Sequence, residues 1–124
     1  MSYMFYDCSF LKKLNITNFA TSNETHLNNM FFNCSSLINI EIPEFNTNKV
    51  IDLCYIFYRC LKLKQIYLIN YNEKKENCYL NRLFIKCTSI NELYFFNFFI
   101  YSSYDVSEML AGCSNLKNIK LKRN

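Results

Sequence analysis

Glycine and proline are almost missing from this chain: its 124 residues hold one of each, Gly112 and Pro43. Tight primed turns want glycine, so a hairpin-rich β-protein is excluded and something other than hairpins must join the elements. A glycine-rich phosphate loop is excluded with it. Tryptophan is absent and histidine occurs once, as His26, with no cysteine or aspartate at catalytic spacing. Charge of one sign is also scarce. Fourteen basic residues against ten acidic ones leave a net +4, spread along the chain apart from Lys117, Lys120, Lys122 and Arg123. That pattern fits a solvated surface and gives no footprint for nucleic acid. No apolar run approaches the roughly 18–20 residues of a membrane helix. The greasiest stretch, YFFNFFIY at 94–101, is far too short. The opening MSYMFYDCSFLKK lacks the basic-then-apolar order of a signal peptide.

What the chain does have is hydrophobic residues, 51% of the total, and seven cysteines. Five of these, Cys8, Cys34, Cys60, Cys87 and Cys113, are spaced 26, 26, 27 and 26 residues apart. Taking each as a zero mark aligns the rest of the sequence. Seven residues before it stand Met1, Leu27, Leu53, Leu80 and Val106. Four before stand Met4, Met30, Ile56, Leu83 and Met109, and three before Phe5, Phe31, Phe57, Phe84 and Leu110. Three after come Leu11, Leu37, Leu63, Ile90 and Leu116. Six after come Leu14, Ile40, Ile66, Leu93 and Ile119, and eight after Ile16, Ile42, Leu68, Phe95 and Leu121. Eleven after come Phe19, Phe45, Tyr71 and Phe98.

The columns at minus seven, minus four, minus three and zero have the i, i+3, i+4, i+7 spacing of one helix face. Those at plus six and plus eight alternate with polar neighbours, as in a strand with one buried face. Each unit is therefore expected to be a short helix ending near its cysteine, a turn, a strand at about plus four to plus nine, and a loop. Ser22 or Asn23, Thr47 or Asn48, and Ser102 or Ser103 are suited to cap such helices. The third unit is one residue longer and holds NEKKEN at 72–77, so its loop should be the most irregular.

The LxxLxL spacing of LKKLNI (11–16), LINIEI (37–42) and LKNIKL (116–121) resembles the leucine-rich repeat. More closely, MFYDCSFLKKLNITNFATSN (4–23), MFFNCSSLINIEIPEFNTNK (30–49) and MLAGCSNLKNIKL (109–121) resemble the BspA-like leucine-rich repeats, whose units read MFxxCxxLxxLxLxxF. The resemblance spans the chain, with units three and four departing most from the pattern. It implies an α/β fold: a right-handed solenoid of about four and a half 26-residue repeats, with a five-stranded parallel sheet on its concave face and short helices opposite. It implies a binding module of the cell-surface or secreted type, adhesive in character and facing a protein ligand on a host or cell surface. It implies no catalytic residues and no cofactor.

The residues themselves offer little chemistry to set against that. No CxxC pair provides zinc spacing, so the regular cysteines read as buried, reduced thiols. Cys54 and Cys78 are the two expected to be more exposed or oxidisable. NIT (15–17), NET (23–25) and NCS (33–35) match the glycosylation acceptor pattern, which arises freely in an asparagine-rich chain. No activating partner stands at catalytic spacing from Glu41, Glu44 or Asp52. The expected site is the outward row of the strands: Lys13 and Asn15, Asn39 and Glu41, Gln65, Tyr67 and Ile69, Glu92, Tyr94 and Phe96, and Lys120. Thr17, Pro43, Asn118 and Lys122 extend the same rows. Tyr67, Ile69, Tyr94 and Phe96 cluster on neighbouring strands, and interfaces favour such residues. An intracellular scaffold, a self-stacking array and a carbohydrate-binding module are the alternative readings. Residues 1–124 form one domain in this reading, starting inside a helix and ending after a strand without polar capping units. A fragment of a longer array, or end-to-end or concave-face self-association, is the expectation.

Overall fold

The computed structural model describes residues 1–21, 23–41, 49–69, 78–97 and 100–123. Five short strands follow one another: β1 (Lys13–Asn15), β2 (Asn39–Glu41), β3 (Gln65–Ile69), β4 (Glu92–Phe96) and β5 (Asn118–Lys122). Each begins five residues after its repeat cysteine, so the strand column falls where the alternating pattern put it. All pairing is parallel and in register: Leu14 faces Ile40, and Ile66 faces Leu93, which faces Ile119. The single five-stranded sheet expected from the repeats does not form as one ladder. The strands make a two-stranded sheet, β1–β2, and a three-stranded one, β3–β4–β5. β1 and β2 are only three residues long, and so short a pair offers few bonds with which to extend a ladder.

The expected helices are corrected as well. No helix occurs among the described residues, and the segments before the cysteines are runs of turns. Their backbone alternates. Met30, Phe32 and Cys34 donate back three residues, to the carbonyls of Leu27, Asn29 and Phe31. The residues between them donate out of the unit instead: Asn29 to Cys54, Phe31 to Ile56 (2.9 Å) and Asn33 to Tyr58 (2.7 Å). Unit one donates to unit two in the same way, through Tyr3, Phe5 and Asp7. Unit four joins unit five through Arg82, Phe84 and Lys86. A helix would close every N–H on the carbonyl four residues back. Here half of them bind the neighbouring repeat, which a 26-residue repeat stacked in register makes available.

The alternation needs left-handed backbone five residues and one residue before each cysteine. Tyr3 and Asp7, Asn29 and Asn33, Tyr55 and Arg59, Arg82 and Lys86, and Glu108 and Gly112 all have positive φ, from 52° to 77°. Only the last of these is glycine. Non-glycine residues pay a steric cost there, and the ladder of inter-unit bonds holds them in place. Of the residues suited to capping, Asn23, Ser102 and Ser103 begin no helix, and Ser22, Thr47 and Asn48 lie outside the described residues. So do the NEKKEN loop, Ile42, Pro43, Phe45, Tyr71, Phe98 and Phe99.

Burial follows the columns although the helices do not exist. Leu27, Met30, Phe31, Cys34 and Leu37 are buried, as are their counterparts in units three and four. The phenylalanines stack along the repeat axis, Phe5 on Phe31 at 5.4 Å, Phe31 on Phe57 at 5.4 Å and Phe57 on Phe84 at 5.7 Å, with interplanar angles of 2°, 6° and 2°. The cysteines answer them. Each thiol donates to the phenylalanine carbonyl of the preceding unit: Cys34 to Phe5, Cys60 to Phe31, Cys87 to Phe57 and Cys113 to Phe84, at 2.9–3.2 Å. A small side chain with a weak donor suits that place, which leucine could not fill. All seven cysteines are free thiols. Cys78 is buried and Cys8 is exposed, reversing the expectation for both. Cys78 turns inward, its thiol toward the Val50 carbonyl at 3.9 Å.

Candidate functional site

In-register parallel pairing puts like positions of successive units side by side, about 4.8 Å apart. On β3–β5 that aligns Tyr67 with Tyr94 and Lys120, and Ile69 with Phe96 and Lys122. The strand spacing is also the spacing of stacked rings. Tyr67 lies on Tyr94 with centroids 4.4 Å apart and planes 17° from parallel, and reaches Phe96 at 6.4 Å and 14°. Tyr67 is 43% exposed. The result is an aromatic shelf on one sheet face, with Ile66, Leu68, Leu93 and Phe95 buried beneath it.

Its cationic edge comes from β5. Lys120 Nζ sits 4.9 Å from the Tyr94 ring centroid and Lys122 Nζ 5.9 Å from that of Phe96, both within cation–π range. Lys120 also donates to Glu92 Oε1 at 3.1 Å and to the Tyr94 hydroxyl at 3.2 Å, and that hydroxyl donates to Glu92. The Tyr94 hydroxyl and then Lys120 hold the Glu92 carboxyl below its ordinary range. Glu92 raises the Tyr94 phenol, and Tyr94 with Glu92 raises the Lys120 ammonium. At neutral pH the trio is therefore fixed as carboxylate, phenol and ammonium. None of the three exchanges a proton near pH 7, which suits recognition more than proton transfer. No group of three or more ligating side chains that could hold a metal ion occurs among the described residues.

The structure brings six of the expected site residues together on the three-stranded sheet: Gln65, Tyr67, Glu92, Tyr94, Phe96 and Lys120. Ile69 shares their backbone row, opposite Phe96. Lys13 and Asn39, and Asn15 and Glu41, face each other on the separate β1–β2 pair and do not join that ladder. Lys122 belongs with the shelf more closely than the first two rows do.

A second aromatic row escaped the sequence reading. Two residues before the first three repeat cysteines stand Tyr6, Phe32 and Tyr58, stacked at 4.7 and 4.4 Å. Tyr55 adjoins them and accepts from Arg82, which is ion-paired to Glu108 at 3.0 Å. The signal was the aromatic in that column, hidden because a helix would have turned it to solvent as an ordinary surface position.

A family model described as "Mycoplasma protein of unknown function, DUF285" matches residues 1–122. The chain belongs to the DUF285 family. Its fold is similar to the crystal structure of a T. pallidum leucine-rich repeat protein, with a TM-score of 0.60 at 18% identity. The match covers 95% of this chain and 49% of that one, so the chain spans about half the length of the treponemal protein. None of the curated proteins matches the sequence. At that identity the likeness speaks for fold alone. Together with the parallel strands it makes this DUF285 protein leucine-rich-repeat-like, without the helices. Nothing in it singles out the BspA-like group among such repeats.

Proposed function

We propose that the chain is a non-catalytic binding module of adhesive type, its repeats coiled as a right-handed solenoid with the strands on the concave side. The site is the β3–β5 face, and its ligand is a protein exposed on another cell's surface. The observation that carries this reading is the stack of exposed Tyr67 on half-buried Tyr94 and Phe96, edged by Lys120 and Lys122. Large aromatic groups held rigid by their neighbours lose little entropy on docking, and they dominate binding energy where they occur. The BspA-like resemblance of the MFxxCxxLxxLxLxxF units supports the surface role. Lys13, Asn15, Asn39 and Glu41 extend the face as its polar, weakly contributing margin.

The test is adherence of labelled chain to cultured host cells, wild type against the Tyr67→Ala, Tyr94→Ala double variant. Two aromatic anchors at about 2 kcal/mol each predict a loss of more than tenfold in affinity. Protease treatment of the cells should abolish binding of the wild type. Unchanged binding by the double variant overturns the site. Binding that survives protease and is lost on glycosidase treatment overturns the protein ligand and assigns a carbohydrate.

A further inference from the structure

In the interior of the stack, units three and four set unpaired cations side by side. One residue before the cysteines stand Asp7, Asn33, Arg59, Lys86 and Gly112. Asn33 donates to Asp7, so that carboxylate has its partner. Arg59 and Lys86 are neighbours in register, because the Arg59 N–H donates to the Ile85 carbonyl at 3.0 Å. Lys62, two residues after the third cysteine, adds a third exposed cation to the same turn. None of these three side chains has an ion-pair partner among the described residues, whereas nearby Arg82 is engaged by Glu108 and Tyr55. The arrangement is destabilising in two ways. Like charges on adjacent rungs of a ladder repel. Arg59 and Lys86 also have φ of 55° and 61°, a region that asparagine enters with less strain and where unit two carries Asn33. Both side chains are exposed, so packing does not offset either term. Beside them runs the second aromatic row. Tyr58 adjoins Arg59, stacks on Phe32 at 4.4 Å and meets Tyr55 edge-on at 5.8 Å, and all three rings are half-buried.

We infer that this outer face, across the shared core from the β3–β5 shelf, docks on an anionic phospholipid surface. Arg59, Lys62 and Lys86 meet the phosphates, and Tyr58 lies at the level of the headgroups. Cations and amphipathic aromatic rings are the side chains that hold a protein at that depth. Other anionic ligands fit the face less well. A sugar ring stacks on an open aromatic face, and Phe32 is covered on both of its faces by Tyr6 and Tyr58. An extended peptide adds to free main chain, and the N–H groups of Tyr58, Arg59, Ile85 and Lys86 all donate within the stack. Seated in this way, the chain turns its shelf away from the lipid and toward the ligand proposed above.

Flotation of the purified chain with vesicles of phosphatidylglycerol and phosphatidylcholine in equal parts tests this. The chain should float with them at low salt, come off at high salt, and ignore vesicles of phosphatidylcholine alone. Arg59→Asn, Lys62→Ser and Lys86→Asn together install the residues that unit two carries in the same columns, Asn33 and Ser36. That triple variant should lose about a hundredfold in vesicle affinity with an unchanged circular dichroism spectrum. Lys12→Gln, Lys49→Gln and Lys117→Gln remove as many exposed charges elsewhere and should cost a few-fold at most. The chain has no tryptophan, so Tyr58→Trp supplies a single reporter, whose emission should shift to the blue on the anionic vesicles. Failure to float with anionic vesicles overturns the inference, and so does an equal loss in the two triple variants. Binding without the blue shift, or retention on heparin at a salt concentration that strips the vesicles, overturns the lipid surface and assigns a soluble polyanion. The shelf stands or falls separately, because Tyr67→Ala with Tyr94→Ala should float as the wild type does.

Discussion

Replacing Phe57 by alanine removes the central ring of the stacked column. Phe57 is fully buried, with Phe31 at 5.4 Å on one side and Phe84 at 5.7 Å on the other. Deleting a buried phenylalanine ring costs about 3–5 kcal/mol through lost transfer energy and the cavity left behind. Two ring pairs, at about 0.5–1.5 kcal/mol each beyond their area, push the loss toward the upper end of that range. The backbone carbonyl of residue 57 still accepts the Cys87 thiol, so that bond is not lost with the ring. Single domains hold about 5–15 kcal/mol in all, so the variant should forfeit a third of its stability or more. Urea unfolding followed by circular dichroism and tyrosine fluorescence measures it. Phe57→Leu refills most of the volume and should recover over half of the loss. Phe10→Ala, at a residue 93% exposed, should change almost nothing. A Phe57→Ala loss below about 1.5 kcal/mol, no more than a volume-conserving core swap costs, would refute the ring column as the spine of the core.

The thiols provide a second check. Burial pushes Cys34 up to about 11 and Cys78 up to about 12, and burial together with Asp52 pushes Cys54 to about 12. Because thiolate is the reactive form, a disulfide reagent at pH 8 should modify exposed Cys8 first, with Cys60 and Cys87 reacting only on unfolding. Labelling of Cys60 as fast as Cys8, read by peptide mass spectrometry, would contradict the buried column. The shelf provides a third, through pH. Glu92 titrates below its ordinary 4.5, so its contribution is present above that pH and lost as pH falls through the lowered value. Lys120 and Tyr94 titrate above 10.5 and 10.0, so theirs is present below those values and lost as pH rises through the raised ones. Glu92→Gln should flatten the acid limb of a urea-midpoint profile, and an unchanged limb would show that the trio does not form.

What the sequence made legible was burial. A column such as Phe31–Phe57–Phe84 is apolar wherever it sits, whatever backbone carries it. The strands were legible for the same reason, since Ile66 and Leu68 alternate with Gln65 and Tyr67. The conformation before each cysteine was not. Tandem turns closing at every second residue, with left-handed positions four residues apart, satisfy the same i, i+3, i+4, i+7 face as a helix, and those positions are filled by Arg59 or Lys86 as readily as by Asn33 or Gly112. Only the neighbouring repeat decides between the two, by taking half of the N–H groups. The single sheet failed at β1 and β2 because three-residue strands depend on bonds that the pattern does not encode. In the apolar stretch at 94–101, the repeat columns assign no role to Phe99, Ile100 and Tyr101. Of these, Tyr101 packs edge-on against buried Tyr104 at 5.3 Å, a contact between loop residues with no periodic signature.

The claim on which the rest depends is that each repeat turns back without a helix and is held by backbone bonds to the next unit. Scalar coupling across hydrogen bonds, measured by NMR on the labelled chain, observes this directly. The Phe31 amide should couple to the Ile56 carbonyl and Asn33 to Tyr58. Coupling of Phe31 to the Leu27 carbonyl, four residues back, would restore the helix and contradict the account.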